Sequence, residues 1–257
     1  MITEYYRPNS LDEAVKLLSD KTKNLKPLGG GTSLSRQKEG QIGVVDLQDA
    51  GLEQIQSHGQ TLTVGAMVRL EAFLPHPDVH SEIKRAIRID ASNNIRNAAS
   101  LGGWLVSSDG RSILSTILLA VDAELTWEPG SKKIPLGDWL PVRRLESPGE
   151  LVSEVAWGTR PYLAFEYVAR SPKDRPILIV AVARWQSGRT RVALGGFGDA
   201  AIIAMDGPEP SGVDVASRDA YFEAGDQWAT AHYRREVAAK LALRCLDRID
   251  AYQESEA

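Results

Sequence analysis

The chain has 257 residues, which at about 150 residues per domain corresponds to one or two domains. Thirty Lys and Arg residues against 34 Asp and Glu residues give a net charge of -4, which gives no reason to expect nucleic-acid binding. The single cysteine, Cys245, excludes an intrachain disulfide and any all-cysteine zinc or iron–sulfur site built from this chain alone. The longest aliphatic run, 177–183, is too short to span a membrane, and the first residues lack the pattern of a signal peptide. We therefore expect a soluble, cytoplasmic protein without a membrane span.

The first part of the chain alternates helix and strand signals. Ser10 followed by Glu13 has the spacing of a capping box, and apolar residues at helical spacing predict a helix over 10–20. A glycine-rich loop, 29–34, comes next, and the apolar segment 43–47 has the composition of a strand.

The middle of the chain continues this alternation. Alternating apolar residues predict a strand over 61–66, and Ile83, Ala86 and Ile87 share one face of a predicted helix. A second glycine segment, 100–103, precedes a predicted helix over 113–120, and a strand is predicted over 123–127.

The composition changes near residue 160, where we predict the main domain boundary. Three strands are predicted over 162–169, 177–185 and 190–194, and the short turns between them indicate an antiparallel meander. An amphipathic helix over 232–249 would pack on that sheet. The sequence therefore predicts an α+β protein.

The two glycine segments are the strongest candidates for binding. A phosphate requires several backbone N–H donors, and glycine permits the positive φ angles and close approach that form such a nest. Gly29-Gly30-Gly31-Thr32 could supply one nest and Ser100-Leu101-Gly102-Gly103 another, and together they could hold a diphosphate. Each segment could equally be a tight turn, and neither has the spacing of a Rossmann or Walker motif.

Taken in order, these motifs resemble the flavoprotein (medium) subunit of the carbon monoxide dehydrogenase and xanthine dehydrogenase family, the molybdenum hydroxylases. The resemblance covers nearly the whole chain and is carried by the segments Pro8–Ala14, Gly29–Leu34, Val45–Leu47, Val64–Ala66, Ile95–Trp104 and Tyr233–Ala238.

The resemblance implies a PCMH-type FAD-binding domain over 1–160, with α/β subdomains at about 1–55 and 56–160. A small C-terminal domain over 161–257 would carry an antiparallel three-stranded sheet packed by helices. The FAD would be bound non-covalently. The residues that the resemblance assigns to it are Lys26, Pro27, Leu28, Gly29, Gly30, Gly31, Thr32, Ser33, Leu34, Ser100, Leu101, Gly102, Gly103, Leu151 and Val152, with Asp109 as a substitute for a family aspartate.

The resemblance also implies the chain's partners. The FAD would receive electrons from [2Fe-2S] clusters on an iron–sulfur small subunit, which would take them from a molybdopterin centre on a large subunit. A heterotrimer or its dimer would result. The final acceptor could be NAD+, a quinone or oxygen, and the substrate is left open.

Two alternatives depart from this function. Trp104, Ile113 and Tyr167 stand where the family has polar residues, which would suit a degenerate fold that serves as a structural or assembly subunit without tightly bound FAD. The other alternative is a free-standing flavin oxidase. Such oxidases commonly attach the flavin through His or Cys, but no His adjoins either glycine segment and Cys245 falls in the last predicted helix.

Overall fold

The computed structural model of the protein describes residues 2–34, 41–143 and 150–256. The strands are β1 Ile2–Tyr6, β2 Leu25–Leu28, β3 Ile42–Asp46, β4 Ile55–His58, β5 Thr61–Gly65, β6 Glu124–Glu128, β7 Lys132–Pro135, β8 Leu151–Gly158, β9 Tyr162–Val168, β10 Leu178–Arg184, β11 Thr190–Gly195 and β12 Ile202–Gly207. The α-helices are α1 Leu11–Leu18, α2 Ser81–Asp90, α3 Asn93–Ala98, α4 Leu101–Ser107, α5 Ile113–Ala120, α6 Leu136–Trp139, α7 Val213–Asp219 and α8 Ala231–Glu256, and short 3₁₀ helices cover Leu70–Phe73 and Leu140–Val142.

The chain divides into two compact units that are interleaved along the sequence. The first unit is formed by Met1–Val79, Ala91–Ser107 and Glu124–Trp157, and the second by His80–Asp90, Ser108–Ala123 and Gly158–Ala257. These units are defined by contacts between residues and are discontinuous in the sequence, so they do not test the domain boundary predicted near residue 160, which stays a prediction.

The first unit contains two sheets. β1, β3 and β2 form a parallel three-stranded sheet in that order, and the second sheet has the order β4-β5-β8-β6-β7. Helix α1 begins as the capping pattern predicts, because the Ser10 hydroxyl accepts a hydrogen bond from the Glu13 N–H at 3.2 Å. The Glu13 carboxylate reaches back to the N–H of Asn9 at 2.9 Å, one residue before the capping-box position.

The second unit is built on the predicted antiparallel meander. β9, β10 and β11 pair as expected, and a fourth strand, β12, joins the edge of β11, so the sheet has four strands rather than three. The fourth strand was missed because its side chains do not alternate between buried and exposed: Ile202 and Ile203 are both exposed. Apolar residues of β10, β11 and α8 form one core cluster, which includes the buried thiol of Cys245.

The second glycine segment differs from its predicted form. Gly102 and Gly103 lie inside helix α4 rather than in a loop. Within the described ranges, no helix is both long enough and apolar enough to cross a bilayer.

Candidate functional site

The first unit contains a cavity of about 470 Å³ that brings the two glycine segments together. The described residues that line it are Lys26, Pro27, Gly29, Gly30, Gly31, Thr32, Ser33, Leu34, Leu47, Ala66, Met67, Ser100, Gly102, Gly103, Val106, Ser107, Trp127, Glu150, Leu151 and Val152. They come from β2 and the loop after it, the residues that follow β3 and β5, both ends of the segment 100–107, and the start of β8 with its neighbour β6.

The loop after β2 presents unused backbone donors. Among the described residues, no acceptor receives the N–H groups of Gly29–Ser33. Gly31 has a φ of 68°, a conformation that glycine adopts without strain. A run of free N–H groups beside a cavity is suited to an anion such as a phosphate.

Gly29 and Gly30 are required because another segment of the chain packs closely against them. A Cβ at Gly30 would overlap the carbonyl group of Ala98, and a Cβ at Gly29 would lie 2.5 Å from the hydroxyl oxygen of Ser100. Close approach therefore brings the loop against the segment 98–100, and this segment is held by backbone hydrogen bonds from Leu70 to Ala99 and from Leu101 to Val68.

Helix α4 uses its glycines differently. The N–H of Gly102 donates to the carbonyl of Ala66, and a Cβ at Gly102 would lie 2.7 Å from the Cβ of Ala66. Gly102 thus packs closely against Ala66. Gly103, in contrast, is exposed and lines the cavity, and a Cβ there would meet only the Ser100 hydroxyl, at 2.9 Å. The Gly102 N–H is thus used within the protein, and a second nest at this segment stays a prediction.

A buried hydroxyl of the second segment lies close to Gly29 of the first. Ser100 is 2% exposed, and its Oγ makes no hydrogen bond within the described structure. A buried polar group left unpaired costs about 1–3 kcal/mol, so a ligand oxygen that reached Ser100 Oγ would supply a hydrogen bond that no described residue makes.

Strands β6 and β8 form an apolar wall of the same cavity. Leu151 and Val152 of β8 are buried, and the Cα of Val152 pairs with that of Trp127 on β6. The indole Nε1 of Trp127 is also buried and has no partner among the described residues.

The charge of the lining is small. Lys26 is the one cationic side chain of the described lining and Glu150 the one anionic side chain. The other side chains of the described lining are uncharged, and Lys26 adds one cation of the kind that contacts phosphates as a point charge. No group of three His, Cys, Asp or Glu side chains in the described part of the chain could hold a metal ion.

Comparison with known proteins shows which family this chain matches. The family described as the FAD binding domain in molybdopterin dehydrogenase matches residues 1–156. The chain belongs to this family. The match contains both glycine segments, strand β6 and all but the last two residues of β8.

Similar proteins extend the likeness to the whole chain. The 6-hydroxypseudooxynicotine dehydrogenase complex subunit alpha of Paenarthrobacter nicotinovorans is 28% identical over 275 residues, covering 95% of this chain and 93% of the relative. The carbon monoxide dehydrogenase medium chain of Afipia carboxidovorans is 26% identical over 200 residues, with 72% and 69% covered. A crystal structure of the Cu,Mo-CO dehydrogenase contains a chain that superposes with a TM-score of 0.82 at 22% identity, covering 98% of both chains. The predicted resemblance and α+β fold class are confirmed, and the chain is a member of the FAD-binding medium-subunit family of molybdenum hydroxylases.

Most of the residues that the resemblance assigned to FAD in this family member line the cavity; Leu28, Leu101 and Asp109 do not. Leu101 is buried in the core, and Asp109 belongs to the second unit, where its carboxylate accepts hydrogen bonds from Arg175 and from the N–H of Arg111. Although desolvation raises the pKa of Asp109, these donors hold it below its usual range.

The three bulky residues that suggested a degenerate site are also outside the described lining. Trp104 lies on α4, Ile113 is buried at the start of α5, and Tyr167 stacks on Phe165 in the sheet of the second unit.

Sequence reasoning missed seven described lining residues. Leu47 and Ala66 end two of the motifs that carried the resemblance, so their positions were available as a signal. No sequence signal marked the others, which are Met67, Val106, Ser107, Trp127 and Glu150.

Proposed function

We propose that this chain is the FAD-binding electron-transfer subunit of a molybdenum hydroxylase-type oxidoreductase. The observation that carries the proposal is the cavity of the first unit, where the N–H groups of Gly29–Ser33 and the Ser100 hydroxyl, none of which is paired with a described residue, accompany an apolar wall. A dinucleotide with a diphosphate at its centre and flat rings at its ends combines the same polar and apolar chemistry.

The residues present fit this cofactor. The N–H groups of Gly29–Ser33 and the ammonium of Lys26 would hold the diphosphate, since both are donors without acceptor capacity. The Ser100 hydroxyl would donate to a phosphate or sugar oxygen. Leu151 and Val152 would cover a ring of the cofactor, whose apolar faces favour burial against them.

The chain's own residues would bind and position rather than react. When bound, FAD supplies the exchange of electrons between one-electron and two-electron carriers. Such chemistry requires no acid–base group from the protein, and the described lining contains no His or Cys and only one carboxylate, that of Glu150. The apolar wall would exclude water from one side of the ring.

The relatives support a role within a larger complex. The one from Paenarthrobacter nicotinovorans is named as a complex subunit, and the one from Afipia carboxidovorans as a medium chain. We propose that this chain joins an iron–sulfur small subunit with [2Fe-2S] clusters and a molybdopterin large subunit, as a heterotrimer or its dimer. Electrons would pass from the clusters to FAD and then to an external acceptor.

The deciding experiment is a titration of the purified full-length chain with FAD, followed by absorption spectroscopy and calorimetry. We expect saturable binding of one FAD per chain, with a flavin spectrum that dithionite bleaches. A folded chain that takes up no FAD would overturn the proposal and favour a structural or assembly subunit. Affinity purification from the native source should also recover a cysteine-rich small chain and a large molybdenum-containing chain.

A further inference from the structure

Trp127 lines the cavity and carries a hydrogen-bond donor that no described residue satisfies. It lies on β6, lines the cavity, and packs against Trp139 with ring centroids 5.4 Å apart and planes tilted by 45°. Its Nε1 is buried without a partner among the described residues. An indole N–H can only donate, so the ligand atom that would satisfy it must be an acceptor.

The backbone around Trp127 is irregular. In the pairing of β6 with β8, Thr126 is opposite Glu154 and Trp127 is opposite Val152, so Ser153 has no Cα partner on β6. This is a β-bulge, a feature that redirects side chains and is frequent beside binding sites. Trp127 pairs with Val152 directly after the bulge, and both residues line the cavity together with Leu151.

We infer that Trp127 is a binding residue for a heteroaromatic ring of the cofactor, with its indole N–H donating to an acceptor atom on that ring. An apolar wall with a single fixed donor is suited to a flat ring that carries nitrogen or carbonyl acceptors, whereas a phosphate would require several donors or a cation. Isoalloxazine and adenine share this chemistry, and the experiment below distinguishes them. The inference rests on the proposed binding of FAD.

The test compares Trp127→Phe with Trp139→Phe in the full-length chain. Phenylalanine keeps an aromatic ring and removes only the indole N–H and its extra ring, and Trp139 is a matched control because it contacts Trp127 but does not line the cavity. Calorimetry gives the affinity of each protein for FAD, for FMN and for ADP. In parallel, ¹⁵N spectra resolve the indole N–H signals of the six tryptophans, and the signal missing from Trp127→Phe identifies that of Trp127.

We expect Trp127→Phe to weaken FAD binding by roughly 3- to 10-fold, the loss of one hydrogen bond, and Trp139→Phe to leave it unchanged. The half-ligand that carries the contacted ring should lose affinity by a similar factor and should shift the Trp127 N–H signal downfield, and the other half-ligand should do neither. An effect on FMN assigns the isoalloxazine, and an effect on ADP assigns the adenine. Both variants should lose some thermal stability in the ligand-free state, because each removes part of the Trp127–Trp139 ring contact, but deletion of the Trp127 N–H should add nothing to that loss, since no described residue accepts from it.

The failures are distinguishable. A wild-type chain that binds none of the three ligands would overturn the proposed function together with the inference. Normal FAD binding by Trp127→Phe, with an unmoved indole signal in the wild-type chain, would overturn the inference alone. Equal losses in both variants would show that Trp127 acts through packing, which would also overturn it.

Discussion

The carbonyl oxygen of Ala98 occupies the space into which a side chain at Gly30 would extend. The same oxygen accepts a hydrogen bond from the guanidinium of Arg69, whose Nη1 would also lie only 2.9 Å from a Cβ at Gly30. Gly30 is therefore required where the first loop crosses the segment before α4, and this crossing forms one side of the cavity.

Substitution of Gly30 should damage the fold, whereas substitution of Gly103 should damage binding alone. We expect Gly30→Ala to lower the free energy of unfolding by about 1–3 kcal/mol, because a backbone carbonyl has to move. Gly103→Ala should preserve or raise it by up to about 1 kcal/mol, since alanine favours the helix and the new Cβ meets only a rotatable hydroxyl.

Urea denaturation of the ligand-free variants, with FAD titration of each, measures both effects. Gly103→Ala should weaken FAD binding while the fold is intact, because its Cβ projects beside Ser100 at the cavity. Wild-type stability in Gly30→Ala would contradict the packing role of that glycine.

Removal of the Ser100 hydroxyl should weaken FAD binding without lowering the stability of the ligand-free protein. Ser100→Ala deletes a buried polar atom without a described partner, so the unfolding free energy should stay constant or rise. FAD affinity should fall by roughly 2- to 13-fold, the equivalent of one hydrogen bond of about 0.5–1.5 kcal/mol. Calorimetric titration with FAD and thermal denaturation check the two expectations.

Ser153→Ala is the matched control for this experiment. Ser153 is also buried, but its Oγ donates to the carbonyl of Thr126 at 3.3 Å and it does not line the cavity. The control should therefore lose about 0.5–1.5 kcal/mol of stability and keep its FAD affinity. The same pattern in both variants would refute a ligand role for Ser100.

Local signals in the sequence predicted the elements that depend on local physics. The cap at Ser10 and the stripe of α1 are properties of neighbouring residues, and the confirmed meander follows from short turns between apolar runs. Strand β12 escaped prediction because an edge strand with exposed Ile202 and Ile203 lacks the alternation that burial of one face imposes.

The features that could not be predicted depend on contacts between segments that are distant in the sequence. Glycines are unfavourable in helices, so Gly102 and Gly103 indicated a loop, yet Gly102 is needed inside α4 because Ala66 packs against it. Trp127 was not predicted as a site residue because its place beside Val152 depends on strand pairing and a bulge, neither of which is visible in the residues around it.

Arg234, the arginine of the segment Tyr233–Ala238, should be required for the stability of the fold. This side chain is 0% exposed and donates from Nε to the carbonyl of Ile177, and from its other nitrogens to the carbonyl of Ala224 and the carboxylate of Asp226. Arg234→Lys retains the charge but cannot reach all of these acceptors, and we expect a loss of roughly 2–4 kcal/mol.

Arg235→Lys provides the comparison for Arg234. Its side chain is 30% exposed and lies 3.8 Å from Asp219, so the change should stay within about 0.5 kcal/mol. Chemical denaturation monitored by circular dichroism measures both variants. Equal stability of the two variants would contradict the structural role of the buried Arg234 guanidinium.

The stability of the second unit should depend on pH through Asp90. Desolvation raises the pKa of this carboxyl to about 6, although it accepts hydrogen bonds from the N–H groups of Leu114 and Ile113 and from the Ser112 hydroxyl at the start of α5. In the unfolded chain the pKa returns to 3.8. Between about pH 4 and pH 6 the folded state thus binds more protons than the unfolded state, so this group lowers stability as the pH rises.

Asp90→Asn keeps an acceptor oxygen and removes the titration. Relative to this variant, the wild-type chain should lose roughly 1–3 kcal/mol of unfolding free energy between pH 4 and pH 7. His80, whose pKa is lowered by burial, also titrates in this window, but its contribution is common to both proteins and cancels in the difference. Urea unfolding of both proteins at several pH values gives that difference, and parallel profiles would show that Asp90 ionises in the folded protein as it does in the unfolded chain.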